Sequence, residues 1–225
     1  MKYAVNETFY TFQGEGRYTG QPAFFIRLHG CPIQCHFCDS AGTWHPDHVP
    51  ADVMRLDEKE IAARISYEAP IVVLTGGEPA MWDLEPLCCQ ILKMGKRVHI
   101  ETSGAFPLRG DFQCVTVSPK RAQEPIVETL RQATELKFII EKEADINYFT
   151  NLCKNHVRWD VPIYLHPEWS LRRNHDVLTA ITKAVKSRTH YYLAGWQIHK
   201  QYRADDLDAN SRRPVPLGGD ITKGY

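Results

Sequence analysis

The chain has 225 residues, 43% of them hydrophobic and 24% charged, values near globular averages that exclude intrinsic disorder and fibrous folds for its bulk. Lys and Arg number 27 and so do Asp and Glu, a balance that argues against a broad face for nucleic acid or a membrane surface. The length suits one domain spanning residues 1–225; no apolar run exceeds four residues, so no transmembrane helix is expected, and residues 1–10 lack the basic flank and apolar core of a signal peptide.

Past the first thirty-odd residues, strand-like and helix-like segments alternate. Residues 23–28 (AFFIRL) read as a buried strand. Residues 57–68 read as a helix, with Asp57 and Glu60 at capping-box spacing and Ile61 and Ile65 on one face. Residues 71–74 (IVVL) form a second strand, ended by Thr75-Gly76-Gly77. Residues 84–94 put Leu84, Leu87, Cys88, Ile91 and Met94 on one helical stripe. Strands follow at 97–101 and 114–117, each ended by a loop signal, Thr102-Ser103-Gly104 and Ser118-Pro119-Lys120. A strand at 135–140, a helix at 144–156 and a strand at 161–165 come next. Val177, Leu178, Ile181 and Val185 mark the last helix, and 191–198 a final strand. This alternation predicts a mostly parallel α/β sheet covered on its faces. A complete eight-fold barrel takes about 250 residues. Six to seven strands are visible and residues 30–56 contribute none, so a partial (β/α) barrel of about six mainly parallel strands fits better than a closed one. The tail, about 203–225, is polar and rich in Pro and Gly; it reads as a mobile extension or a loop that packs over something.

Seven cysteines are an odd number, and Cys31, Cys35 and Cys38 fall within eight residues while Cys88, Cys89, Cys114 and Cys153 are scattered. Without a secretion signal, this points to a reducing cytoplasm and to metal chemistry. Three thiolates at C-x3-C-x2-C spacing cannot all pair as disulfides, and soft sulfur selects zinc, copper(I) or an iron–sulfur cluster. A closed zinc site needs a fourth ligand, which His29 or His36 would have to supply. On a four-iron cluster, three thiolates would leave one iron open to an exogenous ligand; spacing alone leaves both readings open for a metal-binding loop at residues 29–56.

The cysteine spacing, the aromatic Phe37 before the last cysteine, and Gly76-Gly77-Glu78-Pro79 after a strand together resemble the radical S-adenosylmethionine superfamily. That resemblance implies a [4Fe–4S] cluster on Cys31, Cys35 and Cys38, in a loop that follows the first strand. It places S-adenosylmethionine on the fourth iron, Phe37 near its adenine, and the Gly76, Gly77 and Glu78 turn at its methionine end. Glycines permit the close backbone approach, and Glu78 can accept from an ammonium. A narrower likeness runs in order from 6–16 (NETFYTFQGEG) through 24–31, 37–40, 101–104 and 118–120 to 197–200 (QIHK). Over roughly residues 1 to 200 the chain is similar to the 7-carboxy-7-deazaguanine synthase family. Members convert 6-carboxy-5,6,7,8-tetrahydropterin to 7-carboxy-7-deazaguanine with loss of ammonia, on the route to queuosine and related deazapurines. They are homodimers on a shortened barrel, need Mg²⁺, and take electrons from a flavodoxin-like or other one-electron donor.

Carried over residue by residue, the likeness turns Phe12, Gln13, Gly14, Glu15, Arg27, Thr75 and Gln197 toward the pterin. Arg27 suits a carboxylate through its fork, and Glu15 can accept from pterin N–H groups. Ser40 would bind Mg²⁺ where many members have threonine, which keeps a hard hydroxyl ligand. Thr102, Ser103, Ser118 and Lys120 would hold S-adenosylmethionine, with Lys120 near its carboxylate. Ser103 stands where asparagine is common and Ile198 where threonine is common, so those two loops depart from the pattern. The implied reaction starts with one-electron cleavage of S-adenosylmethionine to a 5′-deoxyadenosyl radical, which takes hydrogen from C6 of the pterin. Ring contraction, return of the hydrogen and loss of ammonia follow.

Two rivals share part of this pattern: an activating enzyme that installs a glycyl radical on a partner protein, and a zinc-binding module without redox activity. Elsewhere the residues read as packing. Cys88, Cys89, Cys114 and Cys153 are expected as small core residues, His99 and His166 as satisfied core or rim groups, and Trp159 and Trp169 as packed aromatics.

Overall fold

The computed structural model describes residues 1–212. Its strands are β1 (Tyr3–Phe12), β2 (Pro22–Leu28), β3 (Met54–Leu56), β4 (Ile71–Gly76), β5 (Arg97–Thr102), β6 (Cys114–Val117), β7 (Glu135–Ile140), β8 (Ile163–Pro167) and β9 (Tyr192–Ala194). All nine join one sheet in the order β3-β1-β2-β4-β5-β6-β7-β8-β9. From β2 to β9 every neighbouring pair is parallel, whereas β1 runs antiparallel to both β2 and β3. The edges β3 and β9 do not pair, so the sheet is an open, partial barrel. Helices α1 (Glu58–Ala62), α2 (Glu85–Lys93), α3 (Val127–Gln132), α4 (Glu143–Cys153) and α5 (His175–Ser187) connect or follow the parallel strands, and α6 (Ile198–Tyr202) closes the series.

The alternation of side chains along each strand separates a packing face from a chemical face. Phe24, Ile26 and Leu28 of β2, Val72 and Leu74 of β4, and Val98 and Ile100 of β5 belong to the large core, together with Leu87 and Ile91 of α2 and Val177 and Ile181 of α5. The opposite face starts apolar, with Phe9, Phe25, Ile71 and Val73, and turns polar toward the C-terminal ends of the strands. Register lines up Arg27 with Thr75, Glu101 with Thr116, Thr116 with Glu135, and Lys137 with Tyr164. Helix α1 begins as its sequence predicts: Asp57 accepts from Lys59 N and Glu60 N, and Glu60 accepts from Asp57 N.

Several expectations need correction. The seven parallel strands agree with the six to seven expected, but β1 and β3 were not foreseen. Strand β1 escapes the sequence pattern because a register shift between Val5 and Glu7 breaks its alternation. The cysteine loop therefore follows the second strand, not the first. Residues 30–56 do contain a strand, β3, whose three residues are extended because β1 pairs with them. The last strand stops at Ala194, and Gln197 caps α6 instead of ending a strand. Cys89 is exposed, and Trp159 is 93% exposed instead of packed. Cys88, Cys114, Cys153 and Trp169 are buried as expected.

Leu74, fully buried at the centre of the sheet, and Trp159 give opposite expectations. Leu74→Ala should cost about 3 kcal/mol, a fall in Tm of roughly 6–12 °C for a chain of this size. Trp159→Ala should stay within about 0.5 kcal/mol of the parent. Thermal unfolding of the metal-loaded protein checks both.

Candidate active site

One cavity of about 1030 Å³ opens at the C-terminal ends of the parallel strands. Every residue that the likeness assigns to pterin, S-adenosylmethionine, cluster or Mg²⁺ lines it except Gly14. Gly14 lies behind the wall, where its carbonyl accepts from Ile198 N at 3.1 Å. A Cβ there would come within 1.9 Å of His199 Nδ1, so only glycine lets the 13–16 loop lie against α6.

The cysteine end of the cavity is assembled by backbone. Cys31, Cys35 and Cys38 are half-buried and unpaired, and Gln34 between the first two adopts φ +53°. The glycine turn after β4 is stitched to this loop: Gly77 N donates to Leu28 O at 3.0 Å and Glu78 N to Gly30 O at 2.8 Å. A Cβ on Gly77 would lie 2.2 Å from Gly30 O and 2.9 Å from Cys31 Cβ, which is why the contact requires glycine. Burial pushes the Cys35 thiol up to about 11 against the pull of Lys120, and the neighbouring thiols of Cys38 and Cys31 push the same way. Trp44 Nε1 donates to Cys38 Sγ at 3.4 Å. These are thiols whose protons a soft, positively charged centre would displace.

The residues fit an iron–sulfur cluster better than a closed zinc site. Neither expected fourth zinc ligand is grouped with the thiols among the described residues: His36 pairs with Glu141 at 2.9 Å, and buried His29 Nδ1 meets no described partner. Among the described residues, no three His, Cys, Asp or Glu side chains are arranged to share one metal ion.

Beside the thiols, Glu78 is 1% exposed and has its acceptor sites filled from within. Its Oε1 accepts from Ala80 N at 3.0 Å and Thr102 Oγ1 at 2.6 Å. Its Oε2 accepts from Ser103 N at 2.8 Å and from Ser103 Oγ. A carboxylate offers about four lone-pair sites, so Glu78 holds Thr102 and Ser103 in place. The side chains expected to touch a cofactor are thus engaged with one another. Lys120 donates to Ser118 O at 2.7 Å and Ser118 Oγ at 2.6 Å, which leaves one of its three N–H groups for a ligand.

The other end of the cavity carries two carboxylates with sites left over. Glu15 accepts from Lys137 Nζ and from Gln197 Nε2, each at 2.6 Å. Glu101 accepts from Gln13 Nε2 at 2.9 Å and Thr75 Oγ1 at 3.3 Å. Each is left with about two lone-pair sites. Arg27 is anchored by Nε to Glu7 Oε1 at 2.5 Å, and its Nη groups donate to no described residue. Ser40 Oγ lies 3.4 Å from Asp39 Oδ1, and Asp39 Oδ2 pairs with Lys200 at 2.7 Å. The described part of the tail, 203–212, packs over the mouth. Asp208 accepts from Tyr10 N at 2.7 Å and Arg212 Nε donates to Asn6 O at 2.8 Å; residues 213–225 of the expected tail lie outside the described residues.

Sequence reasoning missed Glu7, Glu101 and Lys137. Glu101 stood in a motif already singled out, one residue before Thr102. Glu7 and Lys137 carry no local signal, since each looks like the polar member of an alternating strand. His166 was expected to be satisfied, yet it is 1% exposed and neither ring nitrogen has a hydrogen-bond partner among the described residues.

Residues 25–113 match the model of the radical SAM superfamily. A 7-carboxy-7-deazaguanine synthase of Synechocystis sp. is 38% identical over 199 residues, 86% of this chain and 93% of that protein. One from Bacteroides thetaiotaomicron is 36% identical, covering 76% of this chain and 94% of its own. A solved structure, the crystal structure of QueE from Escherichia coli, superposes with a TM-score of 0.73 at 33% identity, over 85% of this chain and 93% of that one.

Anaerobic iron and sulfide loading separates the two kinds of cysteine. Cys35→Ala is expected to lose the brown charge-transfer absorbance and most bound iron, whereas Cys153→Ala, from the apolar layer, is expected to keep both.

Proposed function

The chain belongs to the 7-carboxy-7-deazaguanine synthase family of the radical SAM superfamily, and from that premise we propose that its cavity converts 6-carboxy-5,6,7,8-tetrahydropterin to 7-carboxy-7-deazaguanine with release of ammonia. It is a carbon–nitrogen lyase of 7-deazapurine (queuosine precursor) biosynthesis. The observation that carries the reading is the division of one cavity into a thiol end and an end with open carboxylate sites and an anchored arginine.

Cys31, Cys35 and Cys38 would hold the [4Fe–4S] cluster, and with S-adenosylmethionine beside it the pair supplies an electron and a hydrogen-abstracting radical. Around that pair the protein's task is placement. Gly76 and Gly77 bring backbone close to the methionine end, in a loop that Glu78, Thr102 and Ser103 keep rigid. Lys120, steadied by Ser118, offers its remaining N–H to a carboxylate, and Phe37 offers an aromatic edge to the adenine.

On the substrate side, Arg27 would meet the pterin carboxylate with its Nη fork. The open sites of Glu15 and Glu101 would accept from the pterin's N–H groups, with Phe12, Gln13, Thr75 and Gln197 completing the wall. A site built to pair with N–H donors rejects rings that lack them, because its buried acceptors are then left unpaired. Ser40 Oγ, with Asp39 Oδ1 beside it, would give Mg²⁺ its protein oxygens, and substrate oxygens and water would supply the rest. The 203–212 segment and Trp169 limit water entry, which protects a radical intermediate.

The same reading includes a homodimer, a flavodoxin-like or other one-electron donor, and a reducing cytoplasm, the last supported by seven unpaired cysteines. The single sheet running from Tyr3 to Ala194 supports one catalytic domain. No helix of the described residues is long and apolar enough to cross a membrane.

Anaerobic assay of the loaded enzyme with the carboxy-pterin and S-adenosylmethionine should yield a deazapurine chromophore; 5′-deoxyadenosine without it would point instead to an activating enzyme. Arg27→Ala should raise KM for the carboxy-pterin on the order of 10- to 100-fold, the range of a lost charge-assisted hydrogen bond.

A further inference from the structure

We infer that Lys137 is a positioning residue: it keeps Glu15 ionised and oriented so that this buried carboxylate can read N–H donors of the pterin ring. This rests on the substrate-reading role proposed above for Glu15 and goes beyond it, by naming the residue on which that role depends.

The geometry is closed on the protein side. Lys137 Nζ lies 2.6 Å from Glu15 Oε2, and the two side chains are 15% and 10% exposed. Lys137 is positioned by strand β7, in register with Tyr164 of β8, and Glu15 by the loop after β1. Gln197 Nε2 holds the other oxygen at 2.6 Å. The carboxylate is thereby fixed at both oxygens while one lone-pair site on each stays available. A buried carboxylate without a cation next to it would take up a proton, because burial disfavours its charged form.

The other charged and titratable groups facing the pair do not replace Lys137. His166 on β8 is buried and held neutral, down to about 4, chiefly by its burial. His199 on α6 also faces Glu15 and favours its charged form less than Lys137 does, without a hydrogen bond to it among the described residues. Asp39 on the cysteine loop and Glu101 on β5 are negative and face Lys137; with Lys137 gone they would push Glu15 further toward its neutral form. Lys120 faces Lys137 rather than Glu15 and is itself turned toward Cys35 and Ser118. Lys137 is the cation in hydrogen-bond contact with Glu15, and burial of Glu15 is overridden mainly by it. Paired, Glu15 is held well below the usual carboxylate range. Its charge is therefore present throughout the range pH 6 to 8.5, and substrate affinity should show no titration from this group there.

Removing the cation reverses the sign. In Lys137→Met the carboxyl titrates upward, and below its new pKa the neutral acid has lost acceptor capacity. Affinity then falls as pH falls, by about tenfold per unit below that pKa, since only the ionised form binds well.

The test measures substrate dissociation constants, not turnover. The iron-loaded enzyme with S-adenosylmethionine bound and no reductant is titrated anaerobically with 6-carboxy-5,6,7,8-tetrahydropterin between pH 6 and 8.5, for the parent, Lys137→Met, Lys137→Arg, Glu15→Gln and the Lys137→Met/Glu15→Gln pair. Taking each variant as a ratio to the parent at the same pH cancels the substrate's own titration. We expect the Lys137→Met ratio to climb at least tenfold from pH 8.5 to 6, Lys137→Arg to stay flat, and the double variant to be flat because the Glu15 carboxyl is gone. Iron content and S-adenosylmethionine affinity should match the parent, and Lys137→Gln takes the place of Lys137→Met if that variant fails to load iron. A Lys137→Met ratio that is constant with pH, while Glu15→Gln weakens binding, would overturn this inference alone. Unchanged affinity in Glu15→Gln would overturn the substrate-reading role of Glu15, and this inference with it.

Discussion

The site depends first on one buried carboxylate. Glu78 sits almost out of solvent at the end of β4, where an unpaired charge would cost several kcal/mol. Four donors from Ala80, Thr102 and Ser103 surround its oxygens, and its own N–H reaches Gly30 at the start of the cysteine loop. Charge-assisted hydrogen bonds contribute about 1.5–3 kcal/mol each. Three separate connections, after β2, β4 and β5, are in this way made into one rigid floor. The thiols take their positions from that floor, through Gly30, together with contacts inside their own loop such as Cys38 N to Cys35 O.

The same acceptor arithmetic sorts the acids of the cavity into two roles. Glu78 has no open site, so it organises. Glu15 and Glu101 each keep about half of theirs, so they can read a ligand. All three are strand-end or loop acids in the sequence, and nothing in their composition separates them. What separates them is how many donors the fold brings to each, which is a property of the sheet's register.

Much of the architecture was legible because parallel strands buried on both faces leave continuous apolar runs, as in β2 and β4. The capping box at Asp57 was legible because its partners are three residues apart. Strand β1 was not, since a bulge and inward polar residues mask its alternation. Strand β3 was not, because its extended form is supplied by a partner fifty residues away. The last strand read too long because Trp196 and Ile198 look strand-like. In the fold a Cβ on Gly195 would lie 2.2 Å from the His166 ring, and the chain turns into α6 instead.

By itself the sequence determined which atoms are available. Three thiols at C-x3-C-x2-C, a glycine turn and a set of polar strand ends are fixed by residue identity and short spacing, and they carry the likeness to a family. It also divided the seven cysteines into three ligand candidates and four others. Tertiary structure decided what those atoms are free to do. It placed Cys89 in solvent and the other three in the core, filled the acceptor sites of Glu78, and set Lys137 against Glu15 across 122 positions of chain. The physical reason is that ligand identity is local, whereas burial and hydrogen-bond satisfaction belong to neighbours that only the sheet brings together.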